Sequence, residues 1–174
     1  MNKKIMMVAA AIVALTLQAA TPASAATTRA RGAGELRDLQ LTTDQPTDHA
    51  TAQVVAYESD GWTTVVLKVQ GLDHAAAGIT LGAHVHIGSC VTGDGAAALG
   101  HYRNGAPPAT AANEVWLDFV VQENGTGWAE ATVHFVIPEG GAGAVVIHRD
   151  QTSTGTPPPP GSAGPRWACL PVQF

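Results

Sequence analysis

Residues 52–69 read AQVVAYESDGWTTVVLKV. Two runs, Ala52 to Tyr57 and Thr63 to Val69, mix β-branched and aromatic residues with polar ones, and Ser59-Asp60-Gly61 lies between them. Branched and aromatic side chains suit a pleated, half-buried surface, and Asp-Gly supplies the positive φ that a tight hairpin needs. The stretch therefore predicts a β-hairpin. Similar short runs follow at Ala83 to Ile87, Val115 to Val121, Gly127 to Ile137, Ala144 to His148 and Trp167 to Val172, with a second turn signal at Glu123-Asn124-Gly125. No stretch carries convincing helical periodicity. About seven or eight short strands in one domain predict an all-β protein, an antiparallel sandwich or flattened barrel.

Upstream of the hairpin, Lys3 and Lys4 precede an apolar run from Ile5 to about Ala20, and Pro22-Ala23-Ser24-Ala25 has the small residues of a signal peptidase site. Residues 1–25 are expected to be a secretory signal peptide. The run is short for a membrane span and is broken by Thr16 and Gln18, and no second long apolar stretch follows. Residues 26–37, small and polar, read as a flexible lead-in, and residues 38–174 as the folded domain. The formal charge of −5 includes Lys3 and Lys4, so cleavage takes it to about −7, which disfavours nucleic acid and anionic membranes as partners. Small molecules or ions are the better candidates. Cys90 and Cys169 both lie in the exported part, where an oxidising compartment makes a disulfide between them the default.

Two segments break the strand pattern: residues 88–114, rich in Gly and Ala, and residues 149–166, with Pro157 to Pro160. Too little chain follows the prolines for another domain, so both read as long loops on a β scaffold, where chemistry tends to be carried. His84 and His86, two apart on an expected strand, project from one face. Alone, such a pair is more often two polar side chains on an exposed face than a metal site. His101, in the glycine-flanked Gly100-His101-Tyr102, and His148, ending Val145-Val146-Ile147, give it company. His134 alternates with Val133 and Phe135 and reads as solvent-exposed, and His49 and His74 sit in polar or turn-like surroundings.

Four separated signatures resemble the copper/zinc superoxide dismutase family in order, over roughly residues 50–174. They are Gly82-Ala83-His84-Val85-His86-Ile87-Gly88-Ser89-Cys90, Gly100-His101-Tyr102, Val146-Ile147-His148 and Ala163-Gly164-Pro165-Arg166-Trp167-Ala168-Cys169. The resemblance implies a Greek-key antiparallel β-barrel, a copper site of His84, His86, His101 and His148, a Cys90–Cys169 disulfide, and Arg166 beside the copper channel. It implies superoxide as substrate, with His101 as the labile ligand that delivers a proton. Relatives with zinc add two further histidines and an aspartate, and these are not evident here: between Tyr102 and Trp116 stands no histidine and one acid, Glu114, with Asp118 further on. Zinc is therefore doubtful and the expected cofactor is copper alone. Glu114 is the candidate to hold the orientation of His101, the task zinc performs in the bimetallic relatives.

Two other readings of the same residues stand beside this one. A copper-binding or buffering protein needs the four histidines but no channel and no Arg166, which could also be a surface or packing arginine. A zinc hydrolase needs an open position for water and a carboxylate base, neither of which is evident. No apolar stripe assigns an oligomeric state.

Overall fold

The computed structural model describes residues 25–41 and 43–174. The signal peptide expected over residues 1–25 lies outside them, apart from Ala25. In chain order the strands are β1 (Thr27–Glu35), β2 (Arg37–Asp38), β3 (Thr51–Ser59), β4 (Trp62–Gln70), β5 (Thr80–Leu81), β6 (Ala83–His86), β7 (Phe119–Val120), β8 (Thr126–Val133), β9 (Ala144–His148) and β10 (Arg166–Pro171). Among the described residues the helices are two short 3₁₀ turns, His74–Ala76 and Gly95–Ala98. The expected all-β antiparallel fold is present. One sheet runs β1-β3-β4-β8, a second β2-β10-β9-β6, and β5 pairs with β7.

The β3–β4 hairpin forms as its sequence dictates. Ser59 pairs with Trp62, and the two loop residues, Asp60 and Gly61, have φ of 51° and 80°, matching the twist of the flanking strands. Alternation then sends Ala52, Val54 and Ala56 with Val65, Leu67 and Val69 into the core and leaves their neighbours facing out. The second sheet is covered on both faces, so every residue of β6 and of β9 is buried. On its inner face Ala83, Val85, Val145 and Ile147 join the main core. On its outer face Ala144 and Val146 pack with Leu39, Ala98 and the disulfide pair Cys90–Cys169 in a smaller one.

Three expectations are corrected. Residues 27–35 are no flexible lead-in: they are the edge strand β1, paired along its length with β3. Its small residues conceal the pattern, because Ala30 is buried and a Cβ on Gly32 would come within 2.7 Å of the Pro171 carbonyl. The strand lies that close to β10 only because nothing larger stands there. The run expected from Val115 to Val121 is a strand only at Phe119–Val120, with Glu114 and Trp116 making isolated bridges to Arg103 and His84. The run from Gly127 stops at Val133 because its partner β4 begins at Trp62, and beyond that point the Phe135 carbonyl accepts from the Thr63 hydroxyl instead.

Candidate metal centre

β6 places His84 and His86, and β9 ends at His148 in the same sheet. His101 comes from the long loop, which is laced along β6 by Ile87 N–H to Gly100 O, Gly88 N–H to Ala98 O and Tyr102 N–H to Val85 O. Gly88 permits this approach, since a Cβ there would collide with the Ala97 and Ala98 backbone. The four histidines each offer a ring nitrogen, and these nitrogens lie within 4.8 Å of one another. His84 and His86 are fully buried, and the His101 side chain keeps 15 % exposure.

The partners of the other ring nitrogens fix the tautomers. His86 Nδ1–H faces the carbonyls of Ala98 and Leu99, both at 3.3 Å, and His148 Nδ1–H donates to Gly164 O at 3.2 Å. His101 Nδ1–H donates to Glu114 at 2.8 Å. His84 Nε2–H donates to the Thr152 hydroxyl at 2.8 Å, because that hydroxyl gives its own proton to Asp118. What remains is one lone pair per ring: Nδ1 of His84 and Nε2 of the other three. His84 Nδ1 is buried with no hydrogen-bond partner, and the Nε2 atoms of His86 and His148 face each other at 3.3 Å. Two lone pairs so opposed repel unless a cation lies between them. The donor set, nitrogen throughout, fits a borderline ion such as copper or zinc and not a hard oxygen-seeking one.

Electrostatics agree with ligation by neutral rings. Burial, joined by repulsion from the other rings, pushes His86 down to about 3, and burial pushes His148 down to about 4 and His84 lower still. Neutral imidazole is the metal-binding form. Glu114, without solvent exposure, accepts from His101, from Trp116 Nε1 at 2.9 Å and from Arg103 Nε and Nη2 at 2.9 and 2.8 Å. Burial works against its charge, but these hydrogen bonds outweigh it and hold the carboxyl down at about 2.

Of the residues expected at the site, the four histidines converge and Glu114 touches His101. Arg166 pairs in register with His148, and its half-buried guanidinium donates to Gly95 O at 2.6 Å. A cavity of about 510 Å³ opens over His101 and His148, walled by Arg103 and the 159–164 segment; Arg166 does not line it. His134 is exposed, as expected, and stacks on Trp62 with ring centroids 4.1 Å apart. Thr152, Trp116, Asp118 and Arg103 were not singled out as site residues from sequence. A signal for two of them was present: Glu114, Trp116 and Asp118 alternate with buried Val115 and Leu117, so one side of an extended segment faces the core and the other the histidines.

The class is thus an antiparallel β-sandwich with a buried four-histidine ligand set. A structural comparison gives the fold its name: the chain matches a copper/zinc superoxide dismutase from Brucella abortus, TM-score 0.56 at 15% identity, over 83% of this chain and 99% of that one. The fold is that of the copper/zinc superoxide dismutases. No family model matches the sequence, and no curated protein does.

Proposed function

We propose that the protein is a secreted, copper-dependent superoxide dismutase that works with copper alone. The observation carrying this reading is the convergence of four lone pairs whose tautomers are fixed from outside, with His101 backed by a carboxylate. Copper bound there supplies one-electron chemistry in which one superoxide leaves as dioxygen and a second, with two protons, as hydrogen peroxide. His84, His86 and His148 are the deeply buried holders. His101 faces the cavity, and its Nε2 can take and hand over a proton while Glu114 keeps Nδ1–H in place. Arg166 adds positive charge felt at both His86 and His148. The commitment of Glu114 to His101, Trp116 and Arg103, and of Asp118 to Thr152 and the Ala83 amide, supports a site without zinc. The disulfide supports export.

A second reading, copper binding or buffering without efficient turnover, is favoured by one observation: the Arg166 side chain is held by the Gly95 carbonyl and stands off the cavity wall. Superoxide decay measured on protein loaded with copper, on the metal-free form and with zinc added separates the two. Copper-dependent decay that zinc does not raise is expected. Copper uptake without decay establishes the buffer, and selective retention of zinc over copper by the purified protein overturns both.

A further inference from the structure

The outer face of the four-stranded sheet carries a groove that the histidine centre does not use. In register across β1, β3, β4 and β8, one row reads Arg31, Val55, Val66, Glu130 and the next Ala33, Gln53, Lys68, Trp128. A cavity of about 300 Å³ lies over Val55 and Val66, with Tyr57 and Trp128 at its sides, and two adjoining depressions toward β1 share Gln53 with it. They run together because the outward-facing residue of β1 beside Gln53 is Ala33, too small to stand above the sheet. Four strands at about 4.8 Å spacing give the groove a length of roughly 15 Å.

Three properties narrow the occupant. Trp128 is 57% exposed on the groove wall, leaving a large apolar ring in water. Gln53, Lys68 and Glu130 are exposed and have no side-chain partner among the described residues, so their amide, ammonium and carboxylate are free to donate and accept. Of the charged residues lining the groove, Lys68 and Glu130 are of opposite sign and Arg31 is the one further charge. A polyanion needs a basic groove. A second copy needs an apolar centre that half-buried Val55 and Val66 do not supply. A neutral, hydroxyl-rich chain with apolar C–H faces matches all three properties.

We propose that this groove binds a neutral polysaccharide, one sugar face resting on Trp128 and hydroxyls bonding to Gln53, Lys68 and Glu130. The site is independent of the metal-centre reading. Its test is titration of the chain without its signal segment, by calorimetry and indole fluorescence, with cellohexaose, laminarihexaose, chitohexaose and maltohexaose. Saturable binding of at least one is expected, equal in metal-free and copper-loaded protein and weakened about tenfold or more by Trp128→Ala and by Gln53→Ala. Trp62→Ala, whose ring stacks on His134 outside the groove, leaves it unaltered. Circular dichroism checks that each exposed-site variant keeps its fold. Absence of binding to all four sugars overturns the proposal, as does binding that Trp128→Ala leaves unchanged. So does a Trp128→Ala variant that turns a dimer into a monomer while no sugar binds, which assigns the face to a second copy.

Discussion

At Glu114 and Thr152 the chain sets which nitrogen of a histidine is free. Glu114→Gln keeps the size but offers one acceptor oxygen to three donors, His101, Trp116 and Arg103. Copper affinity is expected to fall about 10- to 100-fold, read by competition with a chelator, with Glu114→Ala at least as severe. An unchanged affinity would remove Glu114 from the task. Thr152→Val deletes the hydroxyl that joins His84 Nε2 to Asp118 and frees the ring to flip its tautomer. About a tenfold loss of copper affinity is expected in the same assay, with little change in a nearby exposed variant such as Gln151→Ala. The contact of Glu114 with His101 was legible, because Glu114 is the one acid between Tyr102 and Trp116. Thr152 was not, since its meaning comes from a contact 68 residues away in sequence.

Strands read well where large residues alternate and poorly where small ones do. β3 and β4 announce themselves through Val54, Val65 and Leu67, whereas β1 shows only Arg29-Ala30-Arg31-Gly32. Its place is decided by how near β10 comes: a side chain on Gly32 meets both the Pro171 carbonyl and Val172 Cγ2 at 2.7 Å. Gly32→Val should therefore cost about 1–3 kcal/mol by overpacking, despite the higher β propensity of valine. Thermal unfolding checks it, and a raised melting temperature would show that β1 has room to move aside. The β6 strand, by contrast, was readable together with its cargo, since a period of two puts His84 and His86 on one face.

Over the whole molecule, the Cys90–Cys169 bridge closes a loop of 79 residues and ties the segment carrying Gly95, the partner of Arg166, to the second sheet. Replacing both cysteines by serine is expected to cost about 4 kcal/mol on the chain-entropy account, read by denaturant titration. Protonation acts on the same scale. In the metal-free protein His86 and His148 have folded pKa values of about 3 and 4, below the ordinary 6.5, chiefly through burial. The unfolded chain takes up protons first, so the stability of the neutral cluster is complete above about pH 6.5 and declines as pH falls toward 4, by about 1.4 kcal/mol per unit for each histidine. The melting temperature of metal-free protein should fall from pH 7 to pH 5; a flat profile would show rings that are not buried neutral. The sequence by itself determined the all-β class, the hairpin and the four histidines, because period-two alternation, Asp-Gly turns and residue spacing are local properties. Only the tertiary structure decided β1, the tautomer of each ring and the position of Arg166 off the cavity wall. Those depend on which distant carbonyl, carboxylate or strand comes within contact distance, and no local pattern encodes that.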